Sequence, residues 1–202
     1  MRFVVLSPNP DDPRVVGRMV RIDFSRLRFL VVDDNPHMRR TVRTILNGLG
    51  VREVCEADDG ASALESFTRY MPDIIIADWV MPIFSGIEMT RMIRQQSASA
   101  NPYVPIIMLT AHSERARVVE ARDAGITEFL VKPISAKALY QRIFNVVTNP
   151  RPFIKTKTFF GPDRHRHVNP NYDGPERRGS GTSEVVQQTP LIQKTKMLTA
   201  GR

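Results

Sequence analysis

Five polar side chains that could do chemistry lie at the ends of short apolar segments. They are Asp33 and Asp34 after the first segment, Asp78 after the third, Thr110 after the fourth and Lys132 after the fifth. Carboxylates that crowd into one crevice repel one another, and such a cluster is tolerable when a divalent cation is bound. Because these carboxylates offer only oxygen, the cation expected is a hard one, and Mg²⁺ suits a site that also meets phosphate.

Lys132 and Thr110 add the groups that a phosphate would need, a point charge and a hydroxyl donor. A carboxylate nucleophile, a metal ion, a cation and a hydroxyl are together the parts required to accept a phosphoryl group. Each residue also has a plainer interpretation: a helix cap for Asp33, Asp34 or Thr110, an acid that opens a surface loop for Asp78, and a solvated surface residue for Lys132. Five coincidences at strand ends are hard to ascribe to chance, so the pattern as a whole favours a phosphoryl site.

The segment 72–82 is the one around which these residues are arranged. Its centre, Ile74-Ile75-Ile76-Ala77, is an uninterrupted apolar run rich in β-branched residues, which is typical of a strand buried on both faces of a parallel sheet. Asp78 closes the run, and Pro82 stops its continuation. Open α/β sheets bind ligands at the carboxyl ends of their strands, which is where Asp78 would lie.

The rest of the chain supplies four more strands and five helices in strict alternation. Strands are predicted at 27–32, 51–57, 104–109 and 128–131, and helices at about 36–49, 60–70, 85–96, 113–125 and 135–147. Asn35-Pro36, Ser113 and Ser135 are the expected helix starts. Five βα units of this kind predict an α/β fold with a doubly wound, five-stranded parallel sheet.

Charge divides the chain into three parts. Residues 26–149 carry 15 basic and 14 acidic residues and are expected to form the domain, whereas residues 150–202 carry 10 basic and 4 acidic residues. This tail is proline-rich and has no amphipathic period, so it is predicted to be disordered. It repeats the pattern aromatic, any residue, Gly, Pro, acid, Arg at 159–164 and 172–177. Residues 1–25 are expected to be a flexible N-terminal extension.

Cysteine usage and hydropathy bound the compartment. Cys55 is the only cysteine, which excludes an internal disulfide and fits a reducing compartment. No apolar run approaches the roughly 18 residues that a membrane-spanning helix needs. A cytoplasmic protein without membrane insertion is therefore expected.

The order of the strand-end motifs resembles the receiver domain of two-component response regulators. The motifs are Asp33-Asp34, Asp78-Trp79-Val80-Met81-Pro82, Thr110-Ala111 and Lys132-Pro133, and the resemblance covers about residues 26–148. The stretches that begin at Asp33 and at Asp78 are most similar to those of the chemotaxis-type, stand-alone receivers. The resemblance implies a flavodoxin-like fold, with a histidine kinase or phosphotransfer protein as phosphoryl donor and a downstream protein as effector.

Residue roles follow from the same resemblance. It makes Asp78 the phosphoacceptor. Mg²⁺ would be bound by Asp34, Asp78 and the backbone carbonyl of Val80, and Asp33 would support the metal, largely through water. Thr110 and Lys132 would hold the phosphoryl group, and Lys132-Pro133 would be a cis peptide. Thr110 and Phe129 would form the switch, although Phe129 could equally be an ordinary core residue. The protein would then be a signalling domain with self-catalysed phosphotransfer and dephosphorylation, not a turnover enzyme.

The output of such a domain has three interpretations. The first is phosphorylation-dependent protein–protein contact, since 150–202 shows no helix-turn-helix pattern. The second is nucleic-acid binding by the basic tail, although alternating acidic and Arg residues suit a polyanion poorly. The third is a phosphohydrolase that uses Asp78 as nucleophile, which would need an acid where Val80 stands. The first interpretation is favoured.

Overall fold

A central parallel sheet with helices on both faces makes up most of the computed structural model, which describes residues 20–95, 99–111, 115–156, 159–163, 184–186, 191 and 197–199. The strands are β1 (Val20–Ile22), β2 (Arg28–Val32), β3 (Glu53–Ala57), β4 (Ile74–Asp78), β5 (Ile106–Thr110), β6 (Glu128–Val131), β7 (Phe153–Lys155), β8 (Phe160–Pro162), β9 (Glu184–Val186) and β10 (Met197–Thr199). The helices are α1 (Pro36–Gly48), α2 (Gly60–Tyr70), α3 (Gly86–Arg94), α4 (Arg115–Ala124) and α5 (Ala136–Thr148).

Five strands form the central sheet in the order β3-β2-β4-β5-β6, and the pairings are parallel. Every residue of β4 is buried, as the apolar run at its centre predicts. One core cluster takes apolar side chains from α2, α3 and α4, and the other takes them from α1 and α5, so helices cover both faces of the sheet. The predicted doubly wound α/β fold is confirmed.

Polar residues begin the helices that border the strand ends. The Asn35 side chain accepts hydrogen bonds from the amides of His37 and Met38, and Pro36 occupies the first helical position. Ser135 accepts from the amide of Ala138 at the start of α5. These two predicted caps are confirmed, whereas the predicted cap Ser113 lies outside the described residues.

The folded part begins before residue 26. Phe24 is buried and its ring meets Tyr140 of α5 edge-on, with the ring centroids 6.0 Å apart. β1 also pairs with β10 in an antiparallel ladder. Over residues 20–25 the structure therefore differs from the predicted flexible extension. The sequence gives no sign of this packing, because a single apolar side chain beside α5 leaves no periodic pattern. Residues 1–19 lie outside the described part.

Within residues 150–202, the tail that is predicted to be disordered, a described segment with β7 and β8 packs against the domain. β7 pairs antiparallel with both β8 and β9. Phe153 of β7 is only 2% exposed, and its ring lies within 5.4 Å of the rings of Tyr103 and Phe160. An aromatic cluster assembled from distant parts of the chain is invisible to a search for local periodicity. Of the repeated motif, residues 159–163 are described, and the second copy lies outside the described residues.

Arg94, at the end of α3, links the domain to this C-terminal segment. Its Nε donates to the carbonyl of Gly125 at 2.9 Å, and its Nη1 donates to the carbonyls of Pro102 and Val104, both at 2.8 Å. The guanidinium also lies 5.2 Å from the centroid of the Phe153 ring. Burial lowers the pKa of Arg94 to about 9, so this side chain is still charged at neutral pH.

Candidate functional site

Three carboxylates meet at the carboxyl ends of the neighbouring strands β2 and β4. Asp33 and Asp34 directly follow β2, Asp78 ends β4, and one oxygen from each carboxylate lies within 4.8 Å of the others. Asp33 is 1% exposed and Asp78 is 9% exposed, whereas Asp34 is open to solvent. The cluster is thus a pocket that is closed at its floor and open on the side of Asp34.

Lys132 brings a positive charge into the same pocket from the end of β6. Its Nζ lies 2.8 Å from Oδ1 of Asp78 and 3.2 Å from Oδ2 of Asp33. The peptide bond to Pro133 is cis, as predicted, and the amide of Lys132 donates to the carbonyl of Thr110 at 2.8 Å. Residues 99 positions apart in the chain therefore form one ion-paired group.

The pocket changes the acidity of two of its members. Burial raises the pKa of Asp33, and the charge of Asp78 raises it further, although the amide of Asn35 and the Lys132 ammonium act in the opposite sense. Burial alone would lower the pKa of Lys132, but its hydrogen bonds to Asp78 and Asp33 and their charges outweigh that effect and raise it. With all groups ionised, three carboxylates face one ammonium, which leaves an excess of negative charge.

This donor set fits a magnesium ion. Carboxylate oxygen is the donor that hard divalent cations prefer, and the cluster offers three such groups in one small pocket. A divalent cation would also compensate the excess negative charge that Lys132 leaves. The fit therefore rests on both the chemistry and the charge of the residues present.

Thr110, Phe129 and Val80 are the remaining residues predicted for the site. Thr110 ends β5 and is buried, one position beyond the residue that pairs with Asp78. Phe129 pairs with Met108 in the sheet and is partly buried against the core cluster of α2, α3 and α4. Val80 follows Asp78 by two residues and its side chain is 64% exposed. The metal role of the Val80 carbonyl and the switch roles of Thr110 and Phe129 stay predictions.

Gly86 allows the start of α3 to approach the backbone of Asp78 closely. A Cβ on Gly86 would lie 2.2 Å from the carbonyl oxygen of Asp78 and 2.8 Å from Sδ of Met108. The amide of Gly86 also donates to the carbonyl of Trp79 at 3.0 Å. Only glycine allows α3 to begin this close to the end of β4, a requirement that the sequence reasoning missed.

Arg39 is a second residue at the site that sequence reasoning missed. It lies in the first turn of α1 and its Nη1 donates to the carbonyls of Asp33 and Asp34 at 2.7 and 3.3 Å. Its Nε lies 3.4 Å from a carboxylate oxygen of Glu56 on β3. A basic residue one helical turn after a pair of acids is the signal that could have found it.

Comparison with known proteins places these residues in a family. The chain matches the family model of the response regulator receiver domain over residues 29–144. The chemotaxis protein CheY of Pseudomonas aeruginosa is 35% identical over 117 residues, which are 58% of this chain and 93% of that protein. The chemotaxis protein CheY-3 of Vibrio cholerae is 35% identical over 117 residues, which are 58% of this chain and 88% of that protein.

Solved structures agree with the sequence matches. The chemotaxis protein CheY4 of Vibrio cholerae superimposes with a TM-score of 0.55 at 33% identity, over 59% of this chain and 98% of that chain. A response regulator receiver domain protein from Clostridium thermocellum gives a TM-score of 0.53 at 30% identity, over 59% of this chain and 92% of that chain.

Within the described residues, no helix is long and apolar enough to cross a membrane.

Proposed function

This chain belongs to the response regulator receiver domain family, and on that premise we propose that Asp78 accepts a phosphoryl group from a histidine kinase or phosphotransfer protein. The observation that carries the proposal is the meeting of Asp33, Asp34 and Asp78 with the Lys132 ammonium in one pocket. Asp78 is the member that ends the fully buried central strand, so packing on both faces of the sheet fixes the backbone that carries its carboxylate.

The proposed reaction is a direct displacement at phosphorus. A carboxylate oxygen of Asp78 attacks the phosphorus of a phosphohistidine, a P–O bond forms and the P–N bond breaks, with its electron pair left on the imidazole. The product is an acyl phosphate on Asp78. Lys132 pairs with Asp78 at 2.8 Å. Its ammonium group is therefore close enough to form a new ion pair with an oxygen of the incoming phosphoryl group.

Mg²⁺ is the cofactor we propose, held by the carboxylates of Asp33, Asp34 and Asp78 and by the backbone carbonyl of Val80. When bound, it would offset negative charge on the phosphoryl oxygens. The side chains prepare the pocket for it: the Asn35 amide donates to Oδ1 of Asp33 at 2.9 Å and orients that carboxylate. Asp34 faces solvent and leaves the pocket open to a donor.

The signal would leave the domain through a change in protein contacts. We propose that the hydroxyl of Thr110 donates to the phosphoryl group and that Phe129, two strand positions before Val131, moves with it. Thr110 pairs directly with Val131 in the sheet, so a shift at Thr110 reaches β6 through the ladder. The effector would be a protein, the compartment the cytoplasm, and nucleic-acid binding by the basic tail stays the alternative.

Intact mass measurement tests the proposal. The protein is incubated with a small phosphodonor and Mg²⁺, and the expected result is the mass of one added phosphoryl group on the wild type and none on Asp78→Asn. Asp58→Asn is the matched control, because Asp58 is an exposed aspartate directly after the edge strand β3. A phosphoryl group that persists in Asp78→Asn would contradict the assignment.

A further inference from the structure

The backbone that carries two of the three carboxylates rests on one guanidinium group. Nη1 of Arg39 donates to the carbonyl of Asp33 at 2.7 Å and to the carbonyl of Asp34 at 3.3 Å. The Arg39 side chain is 18% exposed. Its bond to the Asp33 carbonyl is partly buried, whereas the longer bond to the Asp34 carbonyl is open to solvent. Hydrogen bonds from a charged donor in a partly buried place are stronger than ordinary ones.

The other edge of the same guanidinium is tied to the sheet. Nε of Arg39 lies 3.4 Å from Oε2 of Glu56, and Glu56 is also paired with Arg43 at 3.0 Å. Glu56 lies on β3 directly opposite Val31 of β2, so it is itself fixed by the ladder. Arg39 thus connects a rigid point on β3 to the loop that follows β2.

The two aspartates depend on this connection to different degrees. The Asp33 carboxylate is held independently, by the amide of Asn35 and the ammonium of Lys132. The Asp34 carboxylate faces solvent, and its position follows from the backbone on which it is mounted. Fixing the two carbonyl groups therefore fixes the orientation of the Cα–Cβ bond of Asp34.

From these contacts we infer that Arg39 is a positioning residue, which holds the Asp33–Asp34 backbone in the geometry that binds Mg²⁺. The inference rests on the proposed function, because it assumes that the acidic pocket takes this ion. Arginine suits the role better than lysine, since its planar fork can address two carbonyls and one carboxylate at once. Groups that orient metal ligands without touching the metal commonly change its affinity by about 10- to 100-fold when they are removed.

Charge alone predicts the opposite sign, which makes the inference testable. Removing a cation near an acidic pocket would strengthen Mg²⁺ binding by electrostatics, whereas losing the support of the loop would weaken it. Arg40 offers a matched control, because it is the next residue of α1, carries the same charge and is exposed. Arg40→Ala measures the effect of charge, and Arg39→Ala measures charge and positioning together.

The experiment is a titration of the full chain with MgCl₂, followed by the fluorescence of Trp79 and by the midpoint of thermal unfolding. Trp79 is the only tryptophan of the chain and adjoins Asp78. We expect the dissociation constant for Mg²⁺ to rise about 10-fold in Arg39→Ala, less in Arg39→Lys, and not at all in Arg40→Ala. Circular dichroism without Mg²⁺ checks that each variant is folded, and Arg39→Lys serves if Arg39→Ala is not.

The possible results are distinct. An affinity of the Arg39 variants that equals or exceeds that of the wild type would overturn the inference while leaving the proposed function in place. A wild type that shows no Mg²⁺ response by either signal would instead overturn the proposed function. A weakened affinity in Arg39→Ala beside an unchanged Arg40→Ala would support a positioning role.

Discussion

At the scale of single residues, the pocket holds more negative than positive charge, and packing of the surrounding fold keeps these charges together. Three carboxylates share one ammonium, and two of the carboxylates are buried. Like charges at such distances destabilise the folded state, and the fold tolerates them because the rest of the core outweighs the cost. The proposed function and the stability of the fold are therefore in conflict at these positions.

Replacing Asp34 tests that conflict. Without Mg²⁺, Asp34→Asn is expected to raise the free energy of unfolding by about 0.5–1 kcal/mol, because it relieves repulsion that water partly screens at this exposed position. It should also remove most of the stabilisation by Mg²⁺, which for the wild type would be about 2.7 kcal/mol at 100 times the dissociation constant. Urea unfolding with and without Mg²⁺ measures both effects. Glu65→Gln, an exposed acid on α2, is the control, and a destabilised Asp34→Asn would argue against repulsion.

The raised pKa of Asp33 makes stability depend on pH in a stated direction. Between the ordinary value of 3.8 and the higher pKa in the folded protein, the folded state binds more protons than the unfolded one, so stability is lost as pH rises through this window. We expect the stability of Asp33→Asn relative to the wild type to increase as pH rises above 3.8 in Mg²⁺-free buffer. Denaturant unfolding at several pH values measures it, and a constant difference would refute the assigned shift.

The sequence reveals the candidate chemical groups of the pocket better than the groups that support them. Asp33, Asp34, Asp78 and Lys132 could be predicted because their types are unusual at strand ends and the fold class brings strand ends together. Arg39 donates to backbone carbonyls. Its place one helical turn after a pair of acids is a signal in the residue pattern, but that signal does not say which groups the side chain contacts, so the proposed positioning role rests on the observed contacts.

At the scale of elements, the chain adds to the five βα units a packed segment, β7 with β8, that the sequence analysis did not predict; we call this segment the cover. The segment with β7 and β8 packs through Phe153 against Arg94, the last residue of α3, and against Tyr103, which lies between α3 and β5. The strands and helices with clear periodicity could be predicted, and this segment could not, because its contacts join parts of the chain far apart. The cover lies outside the part matched to the receiver family, residues 29–144.

Removing the Phe153 ring should show how much this cover contributes. Phe153→Ala is expected to lower the free energy of unfolding by about 3–5 kcal/mol, because it empties a buried site and removes the ring beneath Arg94. Val185→Ala on β9 is the control, since Val185 is 56% exposed and should change stability by less than about 0.5 kcal/mol. Equal and small losses in chemical denaturation would mean that the segment does not stabilise the domain.

Close approach of α3 to β4 gives another prediction for an element. Gly86→Ala is expected to lower the free energy of unfolding by about 3 kcal/mol, because the new methyl group would meet the carbonyl of Asp78 and the side chain of Met108. Gly48→Ala is the counterpart: a Cβ at that position would meet nothing within 4 Å, so the change should stabilise α1 by about 0.5–1 kcal/mol. Thermal unfolding of both variants measures these changes. An unchanged stability of Gly86→Ala would contradict the prediction and show that the loop after β4 can move to accommodate the methyl group.

At the scale of the whole molecule, the sheet brings residues that are distant in sequence together at one edge. Asp78 and Lys132 come from β4 and from the end of β6, and Thr110 lies on β5 between them. The fold class and this edge could be predicted because alternation of strands and helices is a property of the entire chain. The limits of the folded part could not, because they depend on single buried aromatic residues such as Phe24 and Phe153.

The central claim is that Asp78 carries an acyl phosphate, and locating the modification tests it most directly. Borohydride reduces an acyl phosphate to an alcohol and leaves a free carboxylate intact, so treated protein is digested and its peptides are sequenced by mass spectrometry. After incubation with phosphodonor and Mg²⁺, homoserine is predicted at position 78, with Asp33, Asp34 and Asp58 unchanged. Homoserine at one of those other positions, or none at position 78, would contradict the account.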